Sequence, residues 1–479
     1  MPVAMQPTRL RLWRFALAVV LSFFALVTRD PVEAQVPGLS SADSLLTREI
    51  FAELIEIPSI SSSPEAVLAA EAMAARLMAA GFPREDVFVG GNAPGGNLVV
   101  RYRGTGARRP ILLMAHLDVV PALASDWSFD PFVFREEDGW FFGRGTSDNT
   151  TGAAVLVANF IRYRREGFVP DRDLVMILTQ DEETSSGGVK WLVGDGSEWL
   201  EGVEYALNTD AGGGTIRDGR EIAFSVQASE KVYLTFHLEV KNPGGHSSVP
   251  RADNAIYRLT RGLDRLSQAE WPVQFNEISR SYLQRSAEIE TDPQVAADML
   301  AATAIPADGD AIDRLAAANP YYNAVMRTTC ITTRLEAGHA DNALPQTAAA
   351  TVNCRVLPGN STDEVEGEIH RILADDSIRV TRVNDPTPSP PSPLTPALMS
   401  VIDELKEEFW PGVPIIPSMS TGATDGLYVR NAGIPVYGVS ALFGHEGDIR
   451  AHGRDERVGV KQFFEAAQYW YRLVKAVSS

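Results

Sequence analysis

Apolar residues in this chain fall into two kinds of run. The segments 110–116, 174–179, 205–208 and 435–439 are short and almost continuously apolar, which is the pattern of strands covered on both faces. The segments 66–80, 152–165, 398–409 and 460–474 repeat apolar positions at helical spacing and can supply those covers. Together they predict an α/β core around a mostly parallel central sheet covered by helices. From Glu230 the character changes: 232–240 alternates like a half-exposed strand, and a helix-like 255–266 follows. Two β-like runs at 327–335 and 348–357, a helix-like 363–374 and a strand-like 378–383 complete the order strand, helix, strand, strand, helix, strand. That order is a ferredoxin-like α+β unit. The Pro-rich 385–396 reads as a stiff linker back to the first domain. The expected organisation is a core of 35–228 and 389–479 with an inserted domain at 229–388. Residues 268–319 read as an additional helical excursion without assigned chemistry.

A length of 479 residues agrees with at least two packed domains. Hydrophobic residues at 45% and charged residues at 22% are the balance of an ordinary globular protein. At the start, Arg9, Arg11 and Arg14 precede an apolar run at 15–27, and Val32-Glu33-Ala34 follows. This is the layout of a signal peptide spanning 1–34. The 13-residue run is short of the roughly 20 residues that span a bilayer, so a retained anchor is the weaker reading. Export to the periplasm or the medium is expected, with no stable membrane span after cleavage. The formal net charge is −19, and removing 1–34 makes it about −21. Such a surface repels phosphate backbones, which disfavours nucleic-acid partners and favours a small-molecule substrate.

Cys330 and Cys354 are the only cysteines. Each lies twelve residues from Asn342, so in a symmetric hairpin they face one another. A cross-strand disulfide in an oxidising compartment is the expectation.

In a parallel α/β sheet, sites lie beyond the carboxyl ends of the strands. The polar residues obey this: one strand runs into His116-Leu117-Asp118, a second into Asp181-Glu182-Glu183, a third into Asp210. Asp148 follows the turn Gly143-Arg144-Gly145, just before a predicted helix. Alone, a His-x-Asp is more often a solvated turn than a ligand pair. Several carboxylates converging on one sheet end is different, because they repel unless cations neutralise them.

The strings Met114-Ala115-His116-Leu117-Asp118-Val119-Val120-Pro121, Gly143-Arg144-Gly145-Thr146-Ser147-Asp148, Asp181-Glu182-Glu183 and Gly244-Gly245-His246-Ser247-Ser248 resemble the co-catalytic dizinc family of aminoacylases, glutamate carboxypeptidases and deacetylases. Asp341-Asn342-Ala343-Leu344-Pro345, Arg355-Val356-Leu357-Pro358 and Ala451-His452-Gly453 extend the resemblance, in order, over roughly residues 45 to 475. Ser229-Glu230-Lys231 and the long insertion are most similar to Gly-X carboxypeptidase and N-fatty-acyl-amino-acid hydrolase members.

The resemblance implies a zinc-peptidase-like catalytic domain with an inserted lid or dimerisation domain, and two Zn2+ per chain, with Co2+ or Mn2+ as alternatives. Asp148 would bridge the ions, His116 and Asp210 would bind one, and Glu183 and His452 the other; His445 is the nearest rival to His452. Glu182 would be the general base for a hydroxide held between the metals, and Asp118 would orient His116. His246 would stabilise the oxyanion, reaching it on domain closure or across a homodimer formed through the inserted domain. Asn342 and Arg355 would hold substrate, although Arg355 is also readable as part of a structural ion pair, and the loop with Gly422 and Thr424 would contact it. One departure is Asp148-Asn149-Thr150, where the family usually has lysine in place of Thr150. The implied activity is hydrolysis of the amide bond of N-acyl amino acids or short peptides bearing a free carboxylate. A dipeptidase or Gly-X carboxypeptidase is the alternative, and an inactive peptide-binding homologue is the reading from another class.

Overall fold

The continuous apolar runs become neighbouring strands of one ten-stranded sheet. In this computed structural model, which describes residues 36–91 and 96–479, Ile111–His116 pairs in parallel with Leu174–Thr179 on one side and Ala206–Asn208 on the other. Val436–Gly438 continues the parallel centre beside Ala206–Asn208. Both six-residue strands are buried throughout, and alternation decides what each residue meets. Ile111, Leu113 and Ala115 join one apolar cluster with residues of the helices Ser41–Glu56, Thr150–Glu166 and Val460–Val477. Leu112 and Met114 join another with Val189, Leu192 and Val429, from the helices on the opposite face. Burying each such side chain stabilises the fold by about 1.5–3 kcal/mol. The sheet is mixed overall, since Asn97–Tyr102 runs antiparallel to Leu174–Thr179 and Gly213–Arg217 antiparallel to Arg220–Glu230. The predicted signal segment 1–34 lies outside the described residues. Among those described, no helix is long and apolar enough to cross a membrane.

The alternating strand Val232–Lys241 belongs to a separate four-stranded sheet. Its neighbours are Thr347–Val356 and Ile378–Arg382, with Thr329–Ala337 at the edge beyond Thr347–Val356, and all pairings are antiparallel. The helices Ala255–Ser267 and Thr362–Leu373 pack on the face that carries Leu234, Phe236 and Leu238. This is the ferredoxin-like arrangement expected from the element order. Cys330 and Cys354 are directly opposed in register and joined by a disulfide.

The helical excursion comprises Glu277–Ser286, Pro293–Ala302, Gly309–Ala318 and Pro320–Met326. Its local sequence explains the segmentation. Asn276, Asp292, Asp308 and Asn319 each cap the helix that follows through a side-chain oxygen, and Pro293 and Pro320 occupy first-turn positions where no amide is missed. Ile278, Leu283, Met299, Leu315 and Val325 are buried in the cluster of the large sheet, not in that of the four-stranded sheet. The excursion therefore lies between the inserted strands in sequence and on the catalytic core in space.

Candidate metal centre

The strand ends assemble the polar residues. His116 is the last residue of its strand, and its Nδ1 lies 2.9 Å from the Asp118 carbonyl oxygen. A carbonyl only accepts, so Nδ1 carries a hydrogen and Nε2 is the ring atom turned toward the carboxylates. That nitrogen lies 3.0 Å from Asp148 Oδ1 and 3.6 Å from Asp210 Oδ1. On the other side of Asp148, His452 Nε2 lies 3.1 Å from Oδ2 and 2.9 Å from the Glu183 carboxylate. Two groups result, His116–Asp148–Asp210 and Asp148–Glu183–His452, each with donor atoms within 4.8 Å of one another and with Asp148 common to both. Imidazole nitrogens and carboxylate oxygens in this number fit a pair of divalent cations of the zinc type.

The electrostatics tell the same story. Burial opposes a charge on Asp148, yet His116 and His452 hold it far below the usual carboxylate range. Hydrogen bonds to Asp148 and Glu183 raise His452 to about 10. Burial, together with the other carboxylates, pushes Asp210 up to about 7 and takes Glu182 well above its ordinary value. A cluster with this density of carboxylates needs added positive charge.

The Asp118 carboxylate does something beyond steering His116, from whose Nδ1 it stands 3.7 Å away. It accepts the backbone amides of Glu182 and Glu183, both at 3.1 Å, and the Ser61 hydroxyl at 2.6 Å. It thereby fixes the turn that presents both glutamates. The Asn149 amide nitrogen lies 3.4 Å from Asp210 Oδ1, and the Thr209 hydroxyl donates to its oxygen at 2.7 Å. Gly152 is required behind them, since a Cβ there would stand 2.0 Å from Thr209 Oγ1.

The remaining expected residues lie apart from the five. His246 is exposed in a two-residue strand paired with Ala343–Leu344, and its Nδ1 is 2.7 Å from the Ser248 hydroxyl. Asn342 adjoins this ribbon, its carbonyl accepting from Ser247 N. Among the described residues, none of their hydrogen bonds reaches the cluster. Arg355 lies half-buried on the four-stranded sheet with its guanidinium 4.7 Å from the Tyr233 ring centre, and it makes no ion pair among the described residues. Gly422 and Thr424 sit in a loop tied inward: Thr424 N donates to Glu230 at 2.6 Å, and Asn208 Nδ2 lies 3.4 Å from Thr424 Oγ1. His445 lies beside Trp140 with the ring planes tilted by 52° and belongs to neither donor group.

Two contributors have no role of their own in the sequence reading. Glu456 is fully buried and accepts from Ser147 N, Ser147 Oγ, Gly145 N and Arg144, holding the turn that carries Asp148. Asp425 receives the Thr179 hydroxyl at 2.5 Å, and burial raises its carboxyl to about 7. The adjacency of Glu456 to the Ala451-His452-Gly453 string was the only available signal for it.

The model of peptidase family M20/M25/M40 matches residues 112–476. Human N-fatty-acyl-amino acid synthase/hydrolase PM20D1 is 30% identical over 387 residues, covering 77% of this chain and 74% of its own. Among solved structures, the M20 family metallo-carboxypeptidase Sso-CP2 from Sulfolobus solfataricus superposes with a TM-score of 0.68 at 16% identity, over 90% of this chain and 98% of its own. The Bacillus subtilis YXEP protein, described as a dinuclear metal binding peptidase, superposes with a TM-score of 0.58 at 13% identity, over 92% and 99%.

Proposed function

Because this chain belongs to peptidase family M20/M25/M40, we propose that it is an exported dizinc hydrolase that cleaves the amide bond of N-acyl amino acids or short peptides bearing a free carboxylate. The observation that carries this reading is the sharing of Asp148 between two three-residue donor groups. His116, Asp148 and Asp210 would hold one ion, and Asp148, Glu183 and His452 the other. Bound there, the two cations acidify water and polarise the scissile carbonyl.

The chain's own residues do the rest. Glu182 is the general base: a carboxylate oxygen takes a proton from the attacking water and returns it to the leaving amine nitrogen. Its burial beside Asp210 raises its affinity for that proton. Asp118 holds the amides of Glu182 and Glu183 and so fixes where the base points. His246 donates to the oxyanion after the inserted domain closes or a second copy docks, and Arg355, which lacks an acidic partner, takes the substrate carboxylate. Gly422 and Thr424 line the approach. The exposed edge strand Thr329–Ala337, with Ile331 and Leu335 outward, is the surface for a homodimer through the inserted domain. The disulfide supports an oxidising compartment.

The test is Glu182→Gln. Turnover of N-acyl amino acids and dipeptides is expected to fall below detection while about two zinc ions remain bound per chain. Full turnover in this variant refutes the assignment.

A further inference from the structure

The helical excursion has no part in the mechanism above, yet it walls the space beside the metal ligands. A cavity of about 530 Å3 opens on Asp210 and is lined by Tyr282, Ile289 and Tyr321 from the excursion, with Ile222 and Met419 from the large sheet. This is within the size range of small-molecule sites. Tyr321 and Asp210 also line an adjoining cavity of about 730 Å3 that reaches Asp148 and Trp140. The excursion thus supplies a wall at the point where the reacting bond would lie. Tyr282 and Tyr321 hold each other edge to face with ring centres 5.7 Å apart, and the Tyr321 hydroxyl lies 3.4 Å from the Met419 carbonyl.

The one cation among the residues that line this wall is already paired. Arg217 binds Glu446 with both Nε and Nη2, at 2.8 and 2.9 Å, and Glu290 accepts the Tyr322 hydroxyl and the amides of Thr291 and Asp292. An anionic ligand group would therefore lose water here without gaining a free counter-charge. What the wall offers instead is tyrosine rings and aliphatic side chains set among neutral polar groups such as Gln227, Asn319 and Ser418. On the functional reading given above, the substrate amide has one end with a carboxylate and one acyl end. The uncharged end is the one this cavity suits.

We propose that Tyr282 and Tyr321 form an acyl-recognition pocket, making the helical excursion the element that selects an uncharged aliphatic or aromatic acyl group. The proposal rests on the reading of this chain as an N-acyl amino acid or peptide hydrolase, and the experiment separates the two. N-acyl leucines from acetyl to dodecanoyl, with N-succinyl-leucine beside N-butanoyl-leucine, are assayed by amine release with the wild type, Tyr321→Ala and Tyr321→Phe. The wild type should prefer longer acyl groups and discriminate against succinyl. Tyr321→Ala should reduce the dodecanoyl-to-acetyl ratio of kcat/KM at least tenfold, which corresponds to losing contact with about two methylenes. Tyr321→Phe should retain most of that ratio, and the ranking of different amino acids at a fixed acyl group should not change. Titration calorimetry of Glu182→Gln with N-dodecanoyl-leucine and N-acetyl-leucine supplies a readout free of turnover, and adding Tyr321→Ala should narrow that affinity gap by the same factor. Unchanged acyl ratios, a preference for succinyl, or a shift confined to the amino acid ranking would overturn the pocket assignment. Absence of any wild-type hydrolysis would defeat the functional reading, and the calorimetric comparison would still decide the pocket.

Discussion

Replacing Glu456 with Gln should damage stability and metal binding together, although the side chain touches no metal. Its Oε2 takes Arg144 Nη1 at 2.6 Å and Gly145 N at 3.1 Å, while Oε1 takes Ser147 N and Oγ at 2.8 Å and Asp148 N at 3.2 Å. Glutamine keeps the shape but turns one oxygen into a donor. Whichever way the amide is placed, one set of donors faces another. Placed to spare Ser147 and Asp148, it leaves the Arg144 guanidinium, only 4% exposed, without its counter-charge. Removing one partner of a buried ion pair costs about 3–5 kcal/mol. That is a large part of the roughly 5–15 kcal/mol available to a typical folded protein. Since the same carboxylate fixes the turn before Asp148, zinc affinity should fall about 10–100-fold, as when groups that orient ligands are lost. Urea denaturation followed by tryptophan fluorescence measures the first effect, and competition with a chromophoric chelator the second. Arg144→Met combined with Glu456→Gln should be less destabilised than the sum of the single changes, because the stranded charge is gone. A Glu456→Gln protein within about 0.5 kcal/mol of the parent, the spread of ordinary surface substitutions, and with unaltered zinc affinity would refute this account of the turn.

Three further outcomes are expected. Cys330 and Cys354 close a loop of 24 residues' separation, so replacing both with Ala should cost about 3.5 kcal/mol on the chain-entropy estimate, read as a shift in the urea midpoint of the unreduced protein. Burial, with Arg355 nearby, lowers Lys231 to about 7. The folded protein then binds fewer protons than the unfolded one between pH 7 and about 10.4, so stability should rise with pH across that window, by up to about 1.4 kcal/mol per unit, and Lys231→Met should abolish that slope in denaturation curves measured from pH 7 to 9.5. Dialysis against a chelator should remove activity and lower the thermal midpoint, with zinc restoring both; saturation at a thousandfold the Kd corresponds to about 4 kcal/mol per site.

How far the sequence carried the fold depended on whether a signal was local. The runs at 111–116 and 174–179 were legible because every residue is buried, and the polar residues that terminate them could only lie at the sheet end. The four-stranded sheet was legible from the alternation at 232–240 and from the symmetry of the two cysteines about Asn342, which survives the bulge between Thr332 and Arg334. Ile415–Ser420 was not legible as a strand because Pro417 argues against one; it is tolerated since this strand pairs only with Arg220–Glu230. The five clustered residues were approachable through strand ends and family resemblance. Glu456 was legible only as a neighbour of the Ala451-His452-Gly453 string, because a carboxylate that accepts backbone amides leaves no spacing rule behind, and the wall formed by Tyr282 and Tyr321 was not legible, since it exists only after the excursion packs on the large sheet.

The position of His246 then has a physical consequence. It is exposed on the inserted domain, and Glu230 and Lys231 mark where that domain departs from the large sheet. Glu230 is bound to Arg430 and to Thr424 N, so the loop with Thr424 and Asp425 is tied to the Arg220–Glu230 strand. The next residue points the other way: Lys231 Nζ donates to the Arg327 carbonyl at 2.8 Å, on the segment leading into the inserted sheet's edge strand. A closing rotation that brings His246 toward the metal ligands can therefore leave the Thr424 loop in place and carry Lys231 with the moving part. Arg355, opposite Tyr233 on the same strand pair, would travel with His246. On the proposed mechanism Arg355 and His246 would then arrive together, while Glu182 and the five clustered residues stay on the large sheet.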